Sequence, residues 1–477
     1  MFRLPPWLPI LATQRAGRGA DPDPLHEDQD FKLPKGASLV IMIVYNILLQ
    51  LSFFIIVSSS NKYAEYLGGN STFSGVVIGI PTVFAGLALI PMTRHDEGRY
   101  TMPIHIGCFA AILGHVAYAI AYRANFLYLI LVGRCLSGVS FSGFMYIKRY
   151  CTDPRIVGVR RRTTLASWLV IGQGIGMSLG PFLGGLLYKI GFRSSIFNGY
   201  TSPGWIMACV YVIFWIIVAK FFEDVPHADS GIELRPAHRS LLSPLGEEKR
   251  TGRPPILFPS AETTGPPSSQ GESLRSQLSQ VTLPQWGVIF CMCWFSMLCF
   301  FVLGAWEANL PVFGAATSDL NWSPFAAGNF IALGGITAFP FLLINMLFAR
   351  RIQDRQLLAI GSALGVSGLS IFLLLLRSRK VAFGSLFACW WTIALGFNLA
   401  TTVTLSLLSK QLPPEWNGRI SMAIQYSNYT GRVTGAIWGG SGVAVGMLNY
   451  VGLEIALGGI GAVLFTTLWK NLKTKTG

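Results

Sequence analysis

Apolar residues fall in twelve long, nearly continuous runs: about 37–59, 74–92, 103–122, 126–147, 163–188 and 203–222, then 285–312, 324–347, 357–376, 382–408, 418–446 and 449–469. At ~1.5 Å rise per residue, such a run crosses a ~30 Å hydrocarbon layer as a helix, and the longer ones can tilt or project. The two-residue alternation of a membrane strand is missing, so the pattern predicts helices and not a barrel. The largest polar interval, 223–283, is rich in Pro, Ser and Glu without sustained periodicity, which predicts a flexible linker. The expected class is therefore an all-α membrane protein with twelve transmembrane helices in two six-helix bundles, 37–222 and 284–470, flanked by tails at 1–36 and 471–477. In the first tail the one apolar piece, Leu8-Pro9-Ile10-Leu11, is too short for a signal peptide, and the segment reads as soluble and disordered.

The two groups of spans echo each other. Gly172, Gly176, Gly180 and Gly184 recur every fourth residue in the fifth run, and Gly431, Gly435 and Gly439 do so in the eleventh. Glycines at that interval form a flat stripe that lets a neighbouring backbone approach closely. A stripe in corresponding runs of both halves points to an internally repeated transporter.

Composition agrees with membrane residence: 52% hydrophobic residues, 12% charged and a mean hydropathy of +0.50 exclude an ordinary soluble domain. A net charge of +15 would also suit a nucleic-acid binder, but the cations sit in short loops between apolar runs. Loop 148–162 carries six Lys/Arg against Asp153, loop 349–355 carries three Arg, and the end of the chain holds Lys470, Lys473 and Lys475. These loops and both termini are assigned to the cytosol, although Arg377-Ser378-Arg379-Lys380 runs against the bias. Asn70-Ser71-Thr72 then lies on the far side as a candidate glycosylation site. Eight cysteines, mostly within apolar runs, show no disulfide or zinc spacing and are expected to be free thiols. No phosphate-binding loop, His/Cys metal cluster or nucleophile–base set is visible. We thus expect no enzyme, catalytic residue, metal or cofactor; the expected partners are the lipid bilayer and a small-molecule or ionic substrate, with the protein acting as a monomer.

Polar groups inside the runs carry the candidate chemistry. Arg134 is the single charge in the fourth run, Arg432 lies near mid-depth in the eleventh, and Glu307 follows Trp306 in the seventh. An intramembrane arginine costs at least ~2.5 kcal/mol on insertion scales, so it faces either a structural partner or a wet cavity. Two arginines and one acid leave excess positive charge, which favours an anion bound by guanidinium forks. Arg134, Arg432 and Arg149 are the candidate ligands, with Gln173, Tyr426 and Asn398 as neutral helpers. Glu307 either carries a proton or gates through a permanent ion pair with Arg432 or Arg134. Lys148 and Arg149 read first as interface-snorkelling cations, with a substrate role as the alternative.

Several local patterns carry a family resemblance. They are Lys148-Arg149-Tyr150-Cys151-Thr152-Asp153, Gly176-Met177-Ser178-Leu179-Gly180-Pro181, Tyr200-Thr201-Ser202-Pro203-Gly204-Trp205, Asn321-Trp322-Ser323, Asp354-Arg355-Gln356-Leu357-Leu358, Ser406-Leu407-Leu408-Ser409 and Gly431-Arg432-Val433. Through them the chain from about 37 to 470 resembles a major facilitator superfamily (MFS) transporter. Within that superfamily it is similar to the MFS portion of SPX–MFS vacuolar phosphate transporters and a related lysosomal protein linked to neuronal ceroid lipofuscinosis. The stretch from Gly176 to Gly185 also resembles the glycine-proline motif of MFS antiporters, without its upstream glycines, and Arg94-His95-Asp96-Glu97-Gly98-Arg99 is a degraded form of the superfamily loop motif. The resemblance implies two rocking halves around a central cavity, and by matching position it places Arg134, Arg149, Glu307 and Arg432 in that cavity. The 36 residues before the first run are too few for an SPX domain, so inositol-phosphate regulation is not expected. The resulting expectation is a secondary active transporter of a small anion, such as phosphate or an organic anion, in a vacuolar or lysosomal membrane. An exporter of amphipathic organic compounds and a channel-like anion conductance are the alternatives.

Overall fold

The apolar runs fold as helices because a backbone in hydrocarbon must satisfy its own hydrogen bonds. The computed structural model describes residues 32–96, 98–153, 155–225, 282–348, 353–411 and 417–472. The first tail up to residue 31, the linker from 226 to 281, Arg350, Arg351, Lys473 and Lys475 lie outside the described residues. The N-terminal half contains α1 (Gly36–Phe54), α2 (Ser60–Tyr66), α3 (Ser71–Arg94), α4 (Thr101–Ala124), α5 (Leu127–Ser140), α6 (Gly143–Tyr150), α7 (Val159–Ile190) and α8 (Ser202–Phe221). The C-terminal half contains α9 (Leu283–Ala316), α10 (Pro324–Phe348), α11 (Asp354–Arg377), α12 (Phe383–Ser409), α13 (Asn417–Val445) and α14 (Met447–Thr467).

Two spans expected to be continuous are broken, and serine hydroxyls bond the backbone at the second break. After α1 the chain turns through Ile55–Ser59 with three-residue bonds such as Val57 N to Phe54 O, 3.1 Å, beside the buried Ser58, Ser59 and Ser60. Between α5 and α6 the hydroxyls of Ser140 and Ser142 donate to the carbonyls of Ser137 and Val139, each at 2.7 Å. Such bonds compete with the helical ladder and loosen it. α5 and α6 still act as one span, Leu127–Tyr150. Eleven described spans are apolar and long enough to cross a membrane unaided. α13 is not among them, because Gln425, Ser427, Asn428, Thr430 and Arg432 lower its hydropathy; it is held by packing instead.

The glycine stripes are where each half closes on itself. In α7, Gly176 meets Gln50 and Ile47 of α1, Gly180 meets Phe54, and Gly184 meets the Ile55 carbonyl. A Cβ at Gly180 would sit 2.5 Å from that of Phe54. In α13, Gly431, Gly435 and Gly439 press on the Met297, Phe301 and Ala305 carbonyls of α9. The first and fifth spans of one half thus pair as the first and fifth of the other do.

Two further glycine contacts join the halves. α3 meets α13 through Gly75 and Gly79 against Ala436 and Val433, and α7 meets α10 through Gly328 on the Pro181 carbonyl and Gly185 near the Pro324 carbonyl. Thr72 Oγ1 and Ser441 Oγ, 3.2 Å apart, bond across the first of these seams. All these contacts lie from mid-depth toward the end that carries Asn70. Toward the opposite end, where Lys148 and Asp354 sit, the halves separate.

Candidate functional site

Separation of the halves leaves a cavity of about 560 Å³. Lys148 of α6 and Asp354 of α11 line its mouth; Phe53, Phe54, Glu307 and Arg432 line its inner end. Between them the wall is largely aromatic, with Phe141, Phe144, Phe300 and Phe339, and is interrupted by Gln50, Gln173, Asn398, Gln425 and Asn428.

The inner end is positioned by the α9–α13 stripe. With Gly304 3.0 Å from the Arg432 carbonyl, measured from a Cβ built on it, the two backbones are close enough for their charged side chains to meet. Arg432 Nη2 donates to Glu307 Oε2, forming a buried ion pair. Glu307 is 3% exposed and Arg432 9%, and both reach the cavity surface. The Arg432 guanidinium also lies 4.7 Å from the Phe53 ring centre and 5.2 Å from that of Phe54. Of the two pairings open to Glu307 from sequence, the structure selects Arg432.

Arg134 does not line the cavity. It is 1% exposed inside the N-terminal half, with Nε donating to the Val77 carbonyl at 3.1 Å and Nη1 to the Ser52 carbonyl at 3.4 Å. Its Nη2 has no partner, and no carboxylate pairs with it among the described residues. Its guanidinium lies 5.7 Å from the centre of the same Phe53 ring that Arg432 covers, so one phenyl touches both cations. Phe53 itself lines the cavity. Nearby, Ser52 Oγ and His115 Nε2 are 2.6 Å apart, and both residues are buried.

Arg149 also departs from expectation. It pairs with Asp96, after α3, and lies 5.9 Å from the Tyr100 ring centre. Consecutive residues on a helix point about 100° apart; Lys148 therefore takes the cavity face and Arg149 the loop face. Tyr426 is off the cavity too: its hydroxyl donates to the Gly86 carbonyl of α3 at 3.2 Å, bridging the halves. Gln173 and Asn398 do line the cavity, and Asn398 Nδ2 donates to the Ala394 carbonyl at 2.7 Å.

Asn70 stands at the far end, where its side chain accepts from Phe73 N at 2.8 Å and caps α3. All eight cysteines are unbridged, and Cys209 is exposed.

Sequence reasoning missed Asp354, which accepts from Lys410 Nζ at 2.6 Å and Ser406 Oγ at 2.7 Å. It lies in a basic loop, and its sequence context gives no sign that it faces a cavity. The phenylalanine wall was equally hidden, since a lipid-facing ring and a cavity-facing ring look alike in an apolar run.

Comparison with known proteins gives a consistent answer. The sequence profile of the Major Facilitator Superfamily matches residues 41–436. An uncharacterised MFS-type transporter of Schizosaccharomyces pombe is 30% identical over 93% of this chain and 90% of its own length. An SPX domain-containing membrane protein of Oryza sativa subsp. indica is 27% identical over 70% of this chain, which is 49% of that protein. Among solved structures, a D-xylose-proton symporter aligns with TM-score 0.68 and 13% identity, covering 92% of this chain and 99% of its own. A POT family transporter in complex with a thioalcohol conjugated peptide aligns with TM-score 0.64 and 12% identity, covering 93% and 99%.

Proposed function

The chain belongs to the Major Facilitator Superfamily, and from that premise we propose that it is a secondary active transporter of a small anion, phosphate or an organic anion, working by alternating access. One observation carries the reading: Arg432, held by a single acid, stands at the blind end of a cavity that opens between the halves. An anion entering past Lys148 reaches a guanidinium whose fork geometry matches two oxyanion oxygens. Glu307 competes for that guanidinium. Protonating Glu307 breaks the pair and frees Arg432 for the anion, so cargo and proton are bound together. Rocking of the halves about Phe53 then brings Arg134, which lacks a counter-ion here, toward the bound anion. Gln173 and Asn398 supply neutral hydrogen bonds along the wall. In this reading Arg149 and Tyr426 act at a distance: Arg149 steadies the loop after α3, and Tyr426 holds α3 to α13.

The far-end glycine seams support a carrier over a channel, because the cavity does not continue through them. The reading places the protein as a monomer in a vacuolar or lysosomal membrane, with 223–283 as a cytosolic linker and Asn70 as a lumenal glycan site. A second reading, an exporter of amphipathic organic compounds, is favoured by the phenylalanine wall.

Proteoliposome flux of radiolabelled inorganic phosphate and a panel of organic anions tests the proposal. Saturable, pH-dependent uptake that Arg432→Ala reduces at least tenfold is expected, and Glu307→Gln should spare exchange while flattening the pH profile. Non-saturating anion current would indicate a channel. Dye export that survives Arg432→Ala, with no anion flux, would replace this reading with the exporter.

A further inference from the structure

The C-terminal half buries a second carboxylate that the transport reading leaves unused. Glu454, the eighth residue of α14, is 0% exposed. Trp306 Nε1 donates to its Oε2 at 2.9 Å. Its Oε1 faces the hydroxyl of the fully buried Tyr450, one turn earlier on the same helix, and among the described residues neither atom has another hydrogen-bond partner. Among the described residues no cation pairs with this carboxyl. On the helices packed against α14, Glu307 of α9 and Arg432 of α13 are paired with each other. Arg419 lies near the start of α13, and α11 carries charge only at its ends, in Asp354, Arg355 and Arg377. The neighbouring rings add none, since Trp306 stacks on Trp390 and meets Phe372 edge-on.

An ionised carboxylate enclosed without a cation is among the least favourable arrangements a protein interior can hold. A neutral acid fits the same pocket. Its carbonyl oxygen accepts the indole N–H, and its O–H becomes a donor beside the buried Tyr450 hydroxyl. We propose that Glu454 is a proton-binding site, a carboxylic acid that carries its proton at neutral pH in this conformation. The site is tied to the cavity through one residue: Trp306, the donor to Glu454, immediately precedes Glu307 on α9. A shift of α9 against α14 alters the bond that the acid accepts, and a proton lost from Glu454 alters the seat of α9.

Infrared spectroscopy of the full chain in lipid nanodiscs tests this without reference to any substrate. At neutral pH the spectrum should contain a protonated-carboxyl C=O stretch that Glu454→Gln removes and Glu307→Gln leaves in place. Trp306→Phe, which deletes the indole N–H, should move the same band to higher frequency. Glutamine copies the shape of the neutral acid, so the folded yield of Glu454→Gln should match the parent; if it does not, the Trp306→Phe shift decides alone. Identical carboxyl bands in the parent and Glu454→Gln, or a band unmoved by Trp306→Phe, overturn the assignment. Failure of the anion proposal would leave this result untouched.

Discussion

Arg432 and Glu307 lie 125 positions apart and meet only because two helices touch backbone to backbone. Removing one member of a buried pair strands the other, at about 3–5 kcal/mol, whereas replacing both by apolar residues of similar size is often neutral. We therefore expect Glu307→Ala to lower the melting temperature sharply, and Glu307→Leu with Arg432→Met to recover most of it while abolishing transport. A double variant no more stable than Glu307→Ala would contradict the pairing. The sequence revealed that both residues lie at lipid depth, but depth alone did not choose between Arg432 and Arg134 as partner. Arg149 illustrates the same limit: it and Lys148 are adjacent cations, and the roughly 100° between their directions on α6 decides which one sees the cavity.

At the scale of elements, the four-residue glycine spacing was readable because close helix approach tolerates little else. The break between α5 and α6 was not, since Ser140 and Ser142 in an apolar run are equally compatible with a continuous helix. Gly435→Val would force α9 off α13 at the Phe301 carbonyl, and overpacking of this kind costs about 1–3 kcal/mol. By contrast, a Cβ at Gly459 of α14 meets nothing within 4 Å. Gly459→Ala should therefore be neutral or raise stability by up to about 1 kcal/mol, as helix propensity predicts. Equal losses of folded protein in the two variants would remove the stripe from the account. The loops at the cavity-mouth end make a pH prediction. Burial pushes Asp153 and Asp224 upward, but hydrogen bonds outweigh it and hold both below the usual carboxylate range. Asp153 accepts from Arg155 and the Tyr100 hydroxyl; Asp224 accepts from Thr101 Oγ1 at 2.7 Å and the Tyr100 and Thr101 amides at the start of α4. Their contribution is complete above the ordinary aspartate value near 3.9 and is lost as pH falls through the lowered ones. Melting temperature should thus decline below about pH 4, and Asp153→Asn with Asp224→Asn should flatten that decline. An unchanged acid limb would refute it.

For the whole molecule, two echoing bundles could be foreseen from the sequence, whereas the side on which they part could not. That choice depends on which residues of α3, α7, α10 and α13 touch across the seam, a relation between runs that no single run displays. Thr72 and Ser441 mark the seam, and cysteines there should cross-link with mild oxidant once Cys209 is replaced. The locked protein should show flux no higher than empty liposomes, and reductant should restore it. Full transport with the bridge intact would mean that the seam never opens.

The named ion pairs at the open end, Arg149–Asp96, Arg155–Asp153 and Lys410–Asp354, each stay within one half, while the halves are joined by glycines, hydroxyls and the cation–ring contacts of Lys189 with Phe325 and of Arg432 with Phe53 and Phe54. Brine and dilute buffer therefore have almost equal purchase on that junction. What holds this molecule at rest is the fit of bare peptide planes, a grip that heat loosens and salt does not.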